Sequence, residues 1–208
     1  MIENNENAVK KVDFDIEANF PDLFDNIDAN DLTSNDASVL VYVSGYIAFS
    51  VGKRIKCEQC SLHLCIKKDI DLEDPEKVYE YVRIIDRGGL KWPTDFLLTL
   101  CTNTFLIFKK LISLHEKKFI KFDSHREILM KCALEFNSIN FEDEECPCKR
   151  PLSKVMKFCL WSMSNILLNN YVKNRNDQNI QLKKTSKRKN SFVMVTKKIL
   201  ELMPNIII

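Results

Sequence analysis

The chain's 208 residues are 45% hydrophobic and 29% charged, a balance typical of one globular domain and not of a disordered protein. Only 4 glycines and 6 prolines are present, which disfavours a Gly-rich phosphate-binding fold and a turn-dense β-sandwich. The longest charge-free apolar stretches, 38–52 and 96–108, are shorter than the ~20 residues that cross a bilayer, so we expect no membrane partner.

The net charge of +2 conceals a strong asymmetry along the chain. Residues 1–36 hold ten acids and two bases, whereas residues 149–208 hold thirteen bases and two acids. We therefore expect three parts: an acidic, poorly ordered linker at 1–36, a helical core at 37–175, and a basic segment with a final helix at 176–208. The acidic front could also dock against the basic back.

Sparse apolar residues interrupt the acidic linker and could form a short docking motif; they are Phe14, Phe20, Leu23 and Phe24. The following apolar stretch, 38–56, begins with β-branched residues that leave a strand open, but its length and its Lys-Arg ending favour a buried helix. A compact turn is expected at 57–65.

The sequence patterns in the second half of the chain predict a series of helices. Pro93 is expected in the first turn of a helix, and 96–114 is apolar almost all round, as in a central core helix. Ser124 and Glu127 have the spacing of a capping box that opens the next helix.

Pro151 is expected to open a long helix that carries one buried stripe at helical spacing. The stripe consists of Met156, Cys159, Leu160, Met163, Leu167 and Tyr171. The fold class predicted from these patterns is all-α, mainly helical, with at most one or two short strands.

The sharpest local motif is Cys57-Glu-Gln-Cys60, because two thiolates at this spacing can hold one tetrahedral Zn²⁺ without chain strain. A structural site needs four ligands. His63 and Cys65 are close in sequence, although four ligands within nine residues would be cramped. A redox CxxC would need a thioredoxin-like βαβ setting, which the sequence does not indicate.

Cys146 and Cys148 are the other candidate half of this zinc site, and pairing them with the CxxC would brace the helical module. We expect Cys101, Cys132 and Cys159 to be core residues, because they lie on apolar helical faces. The alternative for all of the cysteines is that they are simply buried or free thiols. Surface positions are expected for His115 and His125.

Three motifs in this order resemble a known family. They are Tyr-Val-Ser-Gly-Tyr-Ile-Ala at 42–48, Lys-Cys-Glu-Gln-Cys at 56–60 and Asp-Arg-Gly-Gly-Leu-Lys-Trp-Pro at 86–93. Over roughly residues 38–200 the chain resembles the C-terminal part of P-element-like transposases, the group that includes THAP-domain transposases. In that family, Cys-Pro-Cys at 146–148 would correspond to a Cys-x-x-His-like pair, so this sequence departs from the pattern there.

The resemblance implies a transposase whose RNase H-like core, with three carboxylates and two metal ions, precedes this region. No run of strands and no catalytic aspartates can be carried over, so we expect a fragment or relic that is not an enzyme. The predicted function is that of a non-catalytic, nuclear, zinc-containing module that contacts the DNA backbone.

The predicted DNA contacts lie in the basic run; they are Lys183, Lys184, Lys187, Arg188 and Lys189. The alternative is a protein-interaction module in which the basic run serves nuclear import. In that case the apolar helices would bind a transposase-like partner or a second copy of the chain.

Overall fold

The computed structural model of the protein describes residues 14–55, 57–66, 91–120, 124–137 and 152–180. Its elements, in chain order, are α1 (Ile16–Asn19), a 3-10 turn (Ala29–Asp31), α2 (Ser34–Ile55), α3 (Glu58–Leu62), β1 (Cys65–Ile66), β2 (Trp92–Pro93), α4 (Asp95–Ile120), α5 (His125–Phe136) and α6 (Leu152–Ile180). The described residues are thus mainly helical with one two-stranded sheet, which confirms the predicted fold class in its helical part.

Helix α2 confirms the predicted helix at 38–56 and rules out the strand alternative, but it begins four residues earlier, at Ser34. A capping box explains the earlier start. The backbone N–H of Asp36 donates to Thr33 Oγ1 at 3.1 Å, and the backbone N–H of Thr33 donates to Asp36 Oδ2 at 3.1 Å. Lys53 and Arg54 occupy the last turn, where cations stabilise the carbonyl end of a helix.

The core forms where α2, α4, α5 and α6 pack against one another. The predicted apolar stripe of α6 is buried along its whole length, and so are Cys101, Cys132 and Cys159. Helix α4 is long and apolar enough, by length and composition alone, to cross a membrane, contrary to our reading of its sequence. Half of that stretch is buried among the other helices, a pattern that a core helix also shows.

Two details at helix starts differ from the predictions. Pro93 does not lie in the first turn of α4; it pairs with Cys65 in the sheet, and Thr94 caps the helix by accepting from Leu97 N–H at 3.2 Å. The side chain of Ser124 makes no capping hydrogen bond at the start of α5, so the capping box predicted there does not form.

Residues 14–33 differ from the expected poorly ordered linker, and we call them the acidic strap. Their six acids and no bases would keep an isolated segment in water, but their apolar side chains are buried in the core of the domain. Phe20 is only 1% exposed and lies 5.7 Å from the Phe14 ring and 5.1 Å from the His115 ring, measured between centroids. The sparse apolar residues therefore dock within the chain.

Three lysines of α4 and α5 fasten the acidic strap through its backbone. Lys110 Nζ donates to the carbonyl of Asp25 at 2.7 Å, and Lys118 Nζ donates to the carbonyl of Asn19 at 3.2 Å. Lys131 donates in the same way to the carbonyl of Phe14. The acidic front thus docks on lysines of the central helices.

Candidate functional site

The CxxC motif begins at the junction of α2 and α3. Cys57 is the N-cap residue of α3 and is half-buried, whereas Cys60 lies one turn later and is 1% exposed. Because α3 follows a helix and not a strand, this setting differs from that of a thioredoxin-like redox motif. Two cysteines on one helical turn remain suitable as half of a structural zinc site.

The neighbouring candidates for the other half do not join the CxxC in a compact cluster. The His63 side chain is exposed, and its backbone carbonyl accepts a hydrogen bond from Thr94 Oγ1 at 2.9 Å. Cys65 Sγ donates to the carbonyl of Ser61 at 3.3 Å. Among the residues that the structure describes, no group of three or more His, Cys, Asp or Glu side chains could hold a metal ion.

The remaining predicted site residues lie outside the described residues. These are Cys146 and Cys148 of the zinc site and Lys183, Lys184, Lys187, Arg188 and Lys189 of the basic run. A zinc site that joins the CxxC to the second cysteine pair therefore stays a prediction, and so does DNA contact through the basic run.

The core cysteines are chemically unlike metal ligands. Burial raises the pKa of Cys101 and of Cys132 to about 12, and burial also raises the pKa of Cys159 well above its ordinary value. A thiol must lose its proton to bind zinc or to act as a nucleophile, so all three stay protonated and inert at neutral pH. This matches the core role predicted for them.

A polar network that the sequence did not reveal lies where α4 meets α6. The Tyr171 hydroxyl donates to Glu116 Oε1, and Arg175 Nη1 donates to the same oxygen at 3.0 Å and to the Tyr171 oxygen at 3.1 Å. Burial, with Glu116 adding to it, raises the pKa of Tyr171 to about 12, so the phenol remains a donor at neutral pH. Glu116 is already paired, so this network braces two helices and is not arranged as an acid–base pair.

This network borders a half-open groove of about 980 Å³ between the acidic strap, α4 and α6. Asp28 and Asp31 line one part of the groove, and Lys109 and Lys110 line another. The charges of its walls are therefore balanced, and the groove does not select for either a strongly anionic or a strongly cationic ligand.

The sequence was compared with models of known protein families, and one family matches. Residues 28–146 match the family model described as "DNA transposase THAP9, C-terminal domain", which is more than half of the chain. The match begins in the acidic strap, includes Cys57, Cys60 and Cys146, and ends before Cys148 and the basic run. No curated protein and no solved structure was found to match the chain.

Proposed function

Since the chain belongs to the family of the C-terminal domain of DNA transposase THAP9, we propose that it is a non-catalytic, nuclear transposase module that holds DNA by its phosphate backbone. The family membership carries the proposal, and the charge distribution supports it. The thirteen bases and two acids of residues 149–208 give that part of the chain the electrostatic character of a polyanion-binding segment.

The described part of α6 contributes to this character. Between residues 152 and 176 the helix holds Lys154, Lys157 and Lys173 and no carboxylate, while the charge of its Arg175 is paired with Glu116 of α4. The basic run at 183–189 follows this helix in the sequence. Lysines and arginines that neutralise phosphates release counterions, so binding through them would be poorly sequence-specific and steeply salt-dependent.

The non-catalytic part of the proposal rests on the kind of structure that the described residues form. They are helices with one two-stranded sheet, and among them no group of three or more His, Cys, Asp or Glu side chains could hold the metal ions that two-metal strand transfer needs. Incubation of the purified chain with supercoiled plasmid and Mg²⁺ or Mn²⁺ tests this point. Nicking that is lost when acidic residues are replaced would show that the chain is an enzyme.

A structural zinc ion belongs to the same proposal. Cys57, Cys60, Cys146 and Cys148 would hold it and would tie α3 to the segment that precedes α6. Cys57 and Cys60 are suitable donors because they lie on one turn beside the core and are reduced. The ion would supply cross-linking of the fold and no chemistry on DNA.

A salt titration tests DNA binding. Fluorescence anisotropy with a labelled random-sequence duplex should give an affinity that falls steeply between 50 and 200 mM salt. Replacing Lys183 and Lys184 with Gln should reduce the slope of log affinity against log salt by about 2, since each phosphate contact contributes about 0.9. Lys53→Gln with Arg54→Gln, at the exposed end of α2, is the matched control and should leave the slope unchanged.

A second function, protein interaction without DNA binding, is favoured by one observation. Leu62 and Phe96 are 43% and 42% exposed, and the hydrogen bond between Thr94 and His63 brings their segments together. Exposed apolar side chains that form one contiguous patch mark docking surfaces. No DNA binding at low salt, together with self-association that Leu62→Ser and Phe96→Ser abolish, would favour this function.

A further inference from the structure

Trp161 on α6 carries a cation–π contact with Arg126 on α5. The guanidinium carbon of Arg126 lies 3.9 Å from the centroid of the Trp161 ring. Trp161 is nevertheless 38% exposed, and Arg126 is half-buried. The two planar groups therefore form a contact pair between two packed helices that still reaches water.

Two lysines lie on the same face of α6 as this pair. Lys154 and Lys157 precede Trp161 by seven and four positions, which places all three side chains within a narrow stripe of the helix. Both lysines are exposed, and neither forms an ion pair with a carboxylate among the described residues. We call Arg126, Lys154, Lys157 and Trp161 the stacking patch.

The charge of the stacking patch itself favours an anionic ligand, because its three ionised side chains, Arg126, Lys154 and Lys157, are all cations. The α6 helix contributes no acid from 152 to 176, and Glu127, beside Arg126 on α5, is the nearest carboxylate in sequence to the four residues. Trp and Arg are common at protein interfaces, but lysines are depleted there, so the two exposed lysines beside Trp161 are what favour a polyanion over a protein partner. Aromatic rings beside a basic groove are instead the usual arrangement for binding single-stranded nucleic acid.

We propose that the stacking patch binds single-stranded nucleic acid. One unpaired base stacks on the Trp161–Arg126 pair, and Lys154 and Lys157 contact the flanking phosphates. Bases stack on both indole and guanidinium planes, so either group can form the platform. A duplex keeps its bases stacked internally and offers the patch only phosphates. The four residues of the patch are distinct in sequence from the basic run at 183–189, so the two can be tested separately.

Tryptophan fluorescence tests the proposal directly, because the chain contains only 2 tryptophans. In the Trp92→Phe variant, Trp161 is the single reporter. Titration with a thymidine oligonucleotide of about 15 nucleotides should quench its emission in a saturable way, because binding of this kind stacks bases on the ring. The duplex of equal length should quench it much less. Equal quenching by both, or quenching by neither, would overturn the proposal.

Substitutions separate stacking from charge and from folding. Trp161→Leu should weaken single-strand binding about 10-fold or more, while Trp161→Phe, which keeps a ring, should restore most of the affinity. Lys154→Gln with Lys157→Gln should lower the salt slope, and Lys53→Gln with Arg54→Gln should not. Unchanged affinity in a folded Trp161→Leu variant, checked by circular dichroism, would contradict the site.

The same titration distinguishes this site from the proposed duplex-binding function. A chain with all five basic residues at 183–189 replaced by Gln should lose duplex affinity but keep the quenching of Trp161 by the single strand. If quenching is lost together with the basic run, the stacking patch is not an independent site. If the original chain does not bind duplex DNA but the single strand still quenches Trp161, the proposed function is wrong and the stacking patch is supported.

Discussion

Lys118 Nζ donates a hydrogen bond to the backbone carbonyl of Asn19 at 3.2 Å, across 99 positions of sequence. Lys110 and Lys131 make the same kind of contact with the carbonyls of Asp25 and Phe14. A lysine that binds a carbonyl holds the chain whatever side chain that residue carries. The acidic strap is thus fastened through its backbone and through its buried phenylalanines, while its carboxylates stay outside.

The acidic strap should contribute a large share of the stability of the domain. Phe20→Ala removes a ring that is 1% exposed and should lower the free energy of unfolding by about 3–5 kcal/mol, through lost burial and the cavity left behind. Urea unfolding followed by circular dichroism measures this. Phe96→Ala is the matched control, because Phe96 is 42% exposed and should cost far less. Similar losses for both variants would show that the strap is not part of the core.

The sequence could predict α6 but not the acidic strap, and the reason is physical. The stripe from Met156 to Tyr171 follows the helical period, which is a local property that can be read within one segment. Phe14 and Phe20 are buried against helices far along the chain, in a segment that lysines 85 to 117 positions away also bind, and no local pattern reports such contacts. Acidic composition, a sound sign of disorder for an isolated segment, was overridden by these tertiary contacts.

Capping motifs show the same limit at a finer scale. Thr33-x-x-Asp36 and Ser124-x-x-Glu127 both fit the capping-box pattern, yet only the first forms the reciprocal hydrogen bonds. The stacking patch was missed for a related reason: Arg126 and Trp161 are distant in sequence, and only the packing of α5 on α6 brings them together. The two candidate cysteine pairs, in contrast, follow from short spacings, which are local signals, while their joining into one zinc site stays a prediction.

His115 should make stability depend on pH. It lies at a kink in α4 against Phe20, and burial, with Lys118 adding to it, lowers the pKa of this histidine below its ordinary value of 6.5, although Asp22 opposes the shift. The unfolded chain therefore takes up the proton more readily than the folded one. Above about pH 6.5 His115 therefore does not lower the free energy of unfolding. As the pH falls from there toward the lowered pKa of the folded state, the free energy of unfolding decreases.

Urea midpoints at pH 7.5, 6.5 and 5.5 measure this effect. His115→Gln should reduce the loss of stability on acidification across this range, because the residue that takes up the proton on unfolding is gone. His63→Gln, which replaces an exposed histidine, is the matched control for loss of an imidazole. An unchanged pH profile in His115→Gln would mean that groups other than His115 cause the loss of stability in acid.

Tyr171 should ionise late. Its pKa is raised to about 12, first by burial and then by Glu116, so the folded state favours the protonated phenol. The stabilising effect is present at neutral pH and is lost as the pH rises from about 10 to 12, since the unfolded chain releases the proton earlier. The ultraviolet difference titration of the original chain minus that of Tyr171→Phe should isolate one phenol that ionises near pH 12. A difference curve with its midpoint near the ordinary value of 10 would argue against the network.

Gly52→Ala should stabilise the domain. Gly52 lies inside α2, where glycine costs about 0.8–1 kcal/mol relative to alanine. A Cβ added at this position would meet Ser61 Oγ at 3.7 Å, an ordinary van der Waals distance, so nothing has to move. Thermal unfolding should therefore show a higher midpoint for this variant. A lower midpoint would indicate that α3 packs closer to Gly52 than the 3.7 Å between the added Cβ and Ser61 Oγ allows.

The zinc prediction can be tested at the level of individual cysteines. Protein purified without chelator should contain about one zinc ion per chain, and Cys57→Ser, Cys60→Ser, Cys146→Ser or Cys148→Ser should each abolish it and loosen the fold. Cys65→Ser separates the two possible ligand sets. Because the Cys65 thiol donates to the Ser61 carbonyl, we expect this variant to keep its zinc. Loss of zinc in Cys65→Ser with retention in Cys146→Ser would identify a local site, and zinc-free wild-type protein would remove the metal from the proposal altogether.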